Sequence, residues 1–245
     1  MNNLIITSEQ HNVFTITLNR NNKKNALNSE MYRDLCKHFQ YAENNSNIHC
    51  LVIRGDENCF CAGNDLQDFI ECSKDEGLIA LDFIKILANF TKPIVAAVAG
   101  PAVGIGTTLL LHCDMVIAAD NAKFQLPFTQ LGLCPEAGSS LLLPRLIGQN
   151  RAFELMVLGK SFNAQQAYQY GLVNEVCQSS ELLSITDNVA TAIAQLPSDS
   201  VMTSRRLIRQ ATHSAVSQAM ADEGTEFSRL INTPECKSIL AKFFK

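Results

Sequence analysis

The chain has 245 residues, a formal net charge of −4 and an apolar share of 47%. This length allows one large domain or two small ones, and the apolar share is enough for a large core. The slightly acidic balance lacks the basic surface that nucleic-acid-binding proteins use, so we expect no nucleic acid partner. The nine cysteines show no metal-ligand spacing, so we expect reduced thiols and no metal.

The sequence shows no targeting or membrane segment that we can identify. The first residues lack the basic start and the long apolar stretch of a signal peptide. The longest apolar region, residues 94–119, is interrupted by Gly100, Pro101, His112 and Asp114, which argues against a membrane span. The last residues do not form the Ser-Lys-Leu address of peroxisomal proteins. We therefore expect a cytoplasmic protein.

The first predicted elements are a hairpin and a helix. Val13–Leu18 alternates with period two and predicts a strand. With the apolar residues 4–6 before it, a hairpin around His11 and Asn12 is expected. After a polar loop, Asn28 or Ser29 is positioned to cap a helix that runs past Phe39.

Two strand–loop–helix units follow in the sequence. Residues 50–54 form a short apolar run that predicts a buried strand, and the small-residue loop 59–66 runs from it into a short helix. A helix is predicted from about Leu78 to Phe90. The second unit consists of a β-branched run at 94–98, a glycine-rich loop at 100–106 and a helix that starts at or near Gly104.

The glycine-rich loop of the second unit suits an anion. Glycine lets a ligand approach the backbone, and a helix N-terminus offers free N–H groups and a positive dipole end. Two known motifs are excluded, because no lysine follows Gly106 as in a P-loop and no third glycine completes a dinucleotide fingerprint. The spacing alone leaves open a turn used only for close packing of the helix on the strand.

One carboxylate lies among apolar and small residues in the stretch 131–138, and it belongs to Glu136. A lone carboxylate near an anion-binding loop suggests proton abstraction beside a carbonyl, with the enolate held by N–H groups. The alternative is an ordinary exposed carboxylate in a turn after Pro135. The spacing does not decide between these interpretations.

The second half of the chain is predicted to change from strands to helices. Strands are expected at 114–119 and 122–125, and one late strand at 171–176. The alternation of strands and helices to about residue 177 indicates parallel βαβ units and an α/β class. Three helices are predicted after Pro197, at Ser198–Thr212, Ser214–Leu230 and Pro234–Phe244. We predict a core of residues 1–196 and a helical region of residues 197–245, for oligomerisation and as a lid, within one structural unit.

Four motifs, in order along essentially the whole chain, resemble the crotonase (enoyl-CoA hydratase/isomerase) superfamily: residues 25–28, 60–66, 100–106 and 113–114. The motif at Gly63–Leu66, with Phe128 and Glu136, is most similar to peroxisomal-type Δ3,Δ2-enoyl-CoA isomerases. The resemblance implies a crotonase-like spiral of ββα units with a C-terminal helical region. It also implies an acyl-CoA thioester as substrate, no separate cofactor because coenzyme A is part of that substrate, and assembly as a trimer or a dimer of trimers.

The resemblance also implies roles for individual residues. The backbone N–H groups of Ala62 and Ile105 would form an oxyanion hole, and Glu136 would be the base. Lys23 or Lys24 would meet coenzyme A phosphates. The substrate-binding path would comprise ten residues: Lys24, Ala26, Leu27, Ala62, Gly63, Asn64, Asp65, Leu66, Gly104 and Phe128.

The chain departs from the hydratase pattern at two positions. Thr108 and Phe128 stand where hydratases of the family carry two glutamates, so water activation by a carboxylate pair is not available. We therefore predict a Δ3,Δ2-enoyl-CoA isomerase of fatty acid degradation. The alternatives are a hydratase or another crotonase-type reaction, and a non-catalytic acyl-CoA-binding protein like the crotonase domains of chromodomain Y proteins. Asp65 is expected mainly to start the short helix after it, and Asp114 to satisfy local backbone donors.

Overall fold

The computed structural model describes residues 3–68 and 79–242, and within them nine strands form two sheets. The strands are β1 (Ile5–Gln10), β2 (Val13–Leu18), β3 (Cys50–Arg54), β4 (Ile94–Val98), β5 (Pro101–Val103), β6 (Met115–Ala119), β7 (Lys123–Gln125), β8 (Phe162–Asn163) and β9 (Glu175–Cys177). The larger sheet has the order β1-β2-β3-β4-β6-β9, and the smaller has the order β5-β7-β8.

The larger sheet starts with an antiparallel hairpin and continues with parallel strands. β1 pairs with β2 so that Ile5 lies opposite Leu18, and the turn residues His11 and Asn12 have φ values of +51° and +62°. The predicted hairpin is confirmed. β2, β3, β4, β6 and β9 pair in parallel, as the alternation of strands and helices predicts.

Nine α-helices have both ends within the described residues and cover the sheets. They are α1 (Ser29–Asn44), α2 (Ile79–Asn89), α3 (Ile105–Thr108), α4 (Ser139–Ile147), α5 (Gln149–Val157), α6 (Ala164–Gln169), α7 (Leu182–Gln195), α8 (Ser198–Ile231) and α9 (Pro234–Ala241). The predicted cap of α1 is confirmed, because the Asn28 side chain accepts a hydrogen bond of 3.0 Å from the N–H of Met31. No helix of this part of the chain combines the length and the apolar character needed to cross a membrane.

The central strands are buried on both faces. Along β3, Leu51 and Ile53 belong to the main core, whereas Cys50 and Val52 belong to a smaller core on the opposite face. The smaller core is closed by α7, while the main core extends to the other helices and the smaller sheet. Strands of this kind read as continuous apolar runs in the sequence, which is why they were easy to predict.

The helical tail differs from the prediction. A single helix of 34 residues, α8, replaces the two helices predicted at Ser198–Thr212 and Ser214–Leu230. No glycine or proline lies near His213, so nothing in the backbone chemistry ends the helix there. The next helix, α9, ends at Ala241. The predicted start at Leu78 and the predicted end at Phe244 lie outside the described residues, and the boundary at residue 196 stays a prediction.

Short strands account for the remaining differences. The predicted late strand at 171–176 is wrong in extent, because β9 covers only Glu175–Cys177. β5 lies within the segment predicted as a loop, and β8 was not predicted at all. Strands of two or three residues have no periodicity of their own and are fixed by their pairing partners, here β7 for both β5 and β8.

Candidate active site

The two strand–loop–helix units meet where the neighbouring parallel strands β3 and β4 end. Cys61 forms a parallel bridge with Ala102, and the N–H of Val103 donates to the Cys61 carbonyl oxygen at 2.9 Å. The approach is very close, because a Cβ on Gly106 would lie 2.5 Å from the same carbonyl oxygen. Gly106 is therefore required for the two loops to pack together.

The second loop leaves a backbone donor open at the start of α3. Gly104, at φ +55°, precedes the helix, and its carbonyl oxygen accepts from Thr107 and Thr108. Ile105 is the first helical residue, so its N–H has no acceptor within the helix. Among residues 3–68 and 79–242 it has no other acceptor either, although Ile105 is only 1% exposed. This buried donor is suited to a ligand oxygen, as predicted for Ile105.

The first loop corrects one predicted donor. The N–H of Ala62 donates to the Lys24 carbonyl oxygen at 2.9 Å, so it is not available to a ligand, and the role predicted for Ala62 is wrong. The reason is that the loop pairs with residues 24–27, where Leu27 also donates to Gly63 at 2.8 Å. In the described chain, the N–H groups of Gly63 and Asn64, which follow Ala62, have no acceptor.

Glu136 is a buried carboxylate next to α3. Its side chain is 4% exposed, and the Thr108 hydroxyl donates a short hydrogen bond to its Oε1. Burial raises the pKa of Glu136 to about 8, the hydrogen bond from Thr108 opposes that rise, and the negative charge of Glu223 adds to it. An ordinary exposed loop carboxylate is thereby excluded. Because Thr108 lies three residues after Ile105, the open donor and the hydroxyl that contacts the carboxylate belong to the same turn of α3.

The turn that carries Glu136 is held from two sides. Ala137 and Gly138 have φ values of +59° and +69°, which is an uncommon conformation for alanine. His112 Nε2 lies 2.7 Å from the Ala137 carbonyl oxygen, so it must carry the proton and donate it. Burial lowers the pKa of His112 to about 4, which keeps it neutral. From α8, Glu223 accepts from the N–H of Gly138 at 2.6 Å.

A cleft of about 450 Å³ opens beside Glu136. Its walls are residues of α2 and α8 together with the base turn: Leu81, Ile84, Lys85, Asn89, Glu136, Ala137, Ser217, Met220, Ala221, Glu223, Gly224, Thr225 and Ser228. A larger cavity of about 690 Å³ lies between Phe90 and the first half of α8, and its lining does not include Glu136. We assign the chemistry to the smaller cleft because it holds the titratable group with the raised pKa.

The predicted coenzyme A path combines residues 24–27, which pair with the first loop, with that loop itself and with Gly104 and Phe128. Lys24 is exposed and in the left-handed conformation, with φ +50°, and the neighbouring Lys23 is also exposed. Leu27 forms a parallel bridge with Asn64, whose side-chain oxygen accepts a short hydrogen bond from the buried Tyr32 hydroxyl. The remaining positions of the path are the half-buried Ala26, Asp65, Leu66 and Gly104 and the buried Phe128.

The two aspartates singled out in the sequence have structural roles. Asp65 Oδ1 accepts from the N–H of Gln67 at 3.1 Å at the start of the short helix, and Oδ2 pairs with Arg20 at 2.7 Å. Asp114 Oδ2 accepts from the N–H of Ile94 at 2.8 Å and pairs with Arg205 at 2.7 Å. No three metal-binding side chains come together in the described ranges.

Sequence reasoning missed three residues that touch the base or its turn. In the sequence, Thr108 stands out only for the carboxylate it lacks, and His112 only as an interruption of the apolar region 94–119. Glu223 lies 85 residues from Gly138 in the chain and gave no local pattern. Contacts at this separation leave no trace in composition or spacing, so the sequence offered no way to find Glu223.

Comparisons with known proteins agree with this geometry. The family model for enoyl-CoA hydratase/isomerase matches residues 8–244. The chain is 36% identical to 1,2-epoxyphenylacetyl-CoA isomerase of Escherichia coli (strain K12), covering 88% of this chain and 84% of that protein. It is 34% identical to enoyl-CoA delta isomerase 2 of Rattus norvegicus over 98% of this chain, but it spans only 63% of that protein's length.

A solved structure extends the match to three dimensions. The enoyl-CoA hydratase/isomerase from Pseudoalteromonas atlantica T6c superposes with a TM-score of 0.94 at 39% identity, covering 99% of this chain and 97% of that one. The predicted crotonase-like α/β fold with a C-terminal helical region is confirmed. Fold, sequence and site geometry therefore lead to the same conclusion: the chain belongs to the enoyl-CoA hydratase/isomerase family.

Proposed function

We propose that the protein converts a 3-enoyl-CoA into the 2-trans-enoyl-CoA by a proton transfer on a single carboxylate. The observation that carries this proposal is Glu136, a buried carboxylate with a raised pKa in a cleft, next to an open backbone donor. A 1,3-proton shift on one face of the substrate requires one group that alternates between base and acid. Glu136 has the burial and the proton affinity for both.

The ionised Glu136 removes a proton from C2 of the thioester. The negative charge that develops on the thioester oxygen is met by the N–H of Ile105 and by a second N–H from the first loop. We assign the second donor to Asn64, because Asn64 is half-buried whereas Gly63 is fully buried against the Val103 carbonyl. The protonated Glu136 then returns the proton to C4, which leaves the double bond between C2 and C3.

The raised pKa has a direct consequence for this mechanism. A carboxylate with a pKa of about 8 is a stronger base than an exposed one, and it holds the proton long enough to deliver it to C4. Below that pKa the base is mostly protonated, so the rate is expected to increase with pH up to about 8. Removing one oxyanion donor typically raises the barrier by about 3–4 kcal/mol.

The hydratase alternative lacks both carboxylates at the two positions where the family resemblance requires them. Thr108 and Phe128 are both buried, and Thr108 uses its hydroxyl as a donor to Glu136. A role in fatty acid degradation, and assembly as a trimer, stay predictions. The non-catalytic alternative does not account for Glu136. Burying this carboxylate costs free energy, and few hydrogen bonds offset that cost.

The test is an assay with a 3-enoyl-CoA as substrate. The wild-type protein is expected to form the 2-trans-enoyl-CoA, and Glu136→Gln should lower turnover by about 10³-fold or more while coenzyme A binding, measured by calorimetry, is unchanged. Glu226→Gln is the matched control, because this exposed residue pairs with Arg229 on the surface of α8. Full turnover by Glu136→Gln would refute the proposal, and formation of a 3-hydroxyacyl-CoA from the 2-enoyl ester would favour a hydratase.

A further inference from the structure

Glu223 is a buried carboxylate that the proposed reaction does not use. It lies on α8, is 7% exposed and lines the same cleft as Glu136. Both of its oxygens are occupied, since Oε2 accepts from the N–H of Gly138 at 2.6 Å and Oε1 from the N–H of Ser140 at 2.8 Å. A carboxylate that uses both oxygens as acceptors of backbone N–H groups is held in a fixed position.

The groups that Glu223 binds belong to the turn that carries Glu136. Gly138 follows the base by two residues, and Ser140 is the second residue of α4. The carboxylate therefore caps the N-terminus of α4, where the helix dipole favours a negative charge. Without this cap, the N–H of the buried Gly138 would be a buried donor with no partner.

The turn has a conformation that requires such support. Ala137 and Gly138 are both in the left-handed region, and for alanine this conformation is strained. Each of the three residues 136, 137 and 138 has its own anchor, which is Thr108, His112 and Glu223 respectively. Thr108 and His112 hold the side adjoining α3, and from α8 Glu223 is the residue that hydrogen-bonds to the turn in the described part of the chain.

We propose that Glu223 is a positioning residue, which holds the turn so that Glu136 points into the cleft. Its negative charge also increases the proton affinity of Glu136. This inference rests on the proposed role of Glu136 as the base. Glu223 does not touch the substrate carbons in this account. It acts through Gly138 and through its charge.

The other charged and titratable groups around the pair do not replace Glu223. Tyr32 on α1 and Cys61 in the first loop face Glu136, but burial raises the pKa of Tyr32 well above its usual value and that of Cys61 to about 12, so both are neutral. Lys85 on α2 is exposed and pairs with Asp82 at 3.6 Å. The negative charge of Glu223 is thus the charged contribution to the raised pKa of Glu136.

Around Glu223 itself, three further groups complete the surroundings. Cys134, whose thiol donates to the Glu223 carbonyl oxygen, is neutral because burial raises its pKa to about 11. Asp222 and Glu226 lie on the same helix, and each is engaged on the exposed side of α8, Asp222 with Gln218 and Glu226 with Arg229. In the described residues, neither of them hydrogen-bonds to the turn at residues 136–138.

The experiment compares two substitutions at position 223 by their pH–rate profiles. Glu223→Gln removes the charge and replaces one acceptor by a donor. We expect kcat to fall about 10- to 100-fold, because the turn is misplaced, and the acid limb of kcat/KM to move to lower pH by about one unit. Glu223→Asp keeps the charge but shortens the side chain, so we expect a smaller fall in kcat and an acid limb within about 0.3 unit of the wild-type position.

The outcomes separate this proposal from that for Glu136. If Glu136→Gln is inactive while Glu223→Gln has the wild-type kcat and acid limb, the role of Glu223 is refuted and the base is retained. If Glu136→Gln is fully active, the proposals for Glu136 and for Glu223 are both refuted. Should Glu223→Gln not fold, as judged by its circular dichroism and thermal transition, Glu223→Asp decides: a lower kcat with an unchanged acid limb supports the proposal, and a wild-type kcat overturns it. Glu226→Gln serves as the control on the same helix.

Discussion

Glu136 and Glu223 are two carboxylates that line one cleft and are buried to nearly the same degree, 4% and 7% exposed, yet their surroundings differ. Within the described residues, Glu136 receives one hydrogen bond, from the Thr108 hydroxyl, and burial raises its pKa to about 8. Burial also raises the pKa of Glu223, but hydrogen bonds from Ser140 and Gly138 oppose that rise. Burial alone therefore does not make a base. The number of donors that face the carboxylate decides its role.

The same contrast applies to two helix N-termini. The N-terminal N–H groups of α4 are occupied by Glu223, so that helix end is a finished structural cap. At the N-terminus of α3, the N–H of Ile105 remains open within the described chain. An occupied helix end stabilises the fold, whereas an open and buried one is available to a substrate oxygen.

The largest effect is expected at the open helix end. Ile105→Pro removes the N–H at the first helical position, where proline is tolerated, and should lower kcat by about 10²–10³-fold. The assay is turnover of a 3-enoyl-CoA. Ile105→Val retains the N–H and is the matched control. An Ile105→Pro protein with a native thermal transition and wild-type kcat would show that this N–H does not stabilise the transition state.

The second prediction concerns stability and pH. Because the folded pKa of Glu136 lies above its ordinary value of 4.5, its contribution to stability is fully present below pH 4.5 and is lost as the pH rises through about 8. Glu136→Gln carries no charge to bury, so at pH 9 it should exceed the wild type in free energy of unfolding by about 2–4 kcal/mol. Urea unfolding at pH 5 and pH 9 measures this. If the advantage of Glu136→Gln in free energy of unfolding does not grow from pH 5 to pH 9, the raised pKa of Glu136 is contradicted.

The third prediction concerns Thr108, whose hydroxyl donates to Glu136. Removing it increases the difference in hydrogen bonding between Glu136 and Glu223. Thr108→Val removes the single donor, so the pKa of Glu136 should rise further and the acid limb of kcat/KM should move up by about one unit. At pH 7 this shift corresponds to a fall in kcat/KM of about tenfold. Thr108→Ser keeps the hydroxyl and should keep the wild-type profile. If the acid limb of Thr108→Val moves to lower pH, the Thr108 hydroxyl does not lower the pKa of Glu136 as we infer.

The smallest effect is expected for Asp65, a carboxylate outside the cleft. Although partial burial opposes it, hydrogen bonds from Arg20 and the Asp68 N–H keep the pKa of Asp65 below its usual value. Its contribution to stability is therefore present above its unfolded pKa and is lost as the pH falls through the folded pKa. Asp65→Asn should lower the free energy of unfolding by about 1 kcal/mol at pH 7, as for other helix caps. The loss should shrink below pH 4, as measured by urea unfolding.

What could be predicted from the sequence was local. The two strand–loop–helix units follow from apolar runs and glycines that lie next to each other in the chain, and Glu136 was distinguished by its apolar neighbours. The failures depended on distant partners. Pairing of Ala62 with the Lys24 carbonyl removed a predicted donor, and Glu223 reaches Gly138 across 85 residues. The break predicted near His213 was wrong because that stretch contains no residue that ends a helix.

The most direct test of the account follows a label from C2 to C4. A 3-enoyl-CoA carrying deuterium at C2 is converted by the wild-type protein in a single turnover, and the product is examined by mass spectrometry. Because one buried carboxylate carries the proton in both steps, deuterium should appear at C4 of the 2-trans-enoyl-CoA, and Glu136→Gln should give no labelled product. Full conversion with no deuterium at C4, or labelled product from Glu136→Gln, would contradict the central claim.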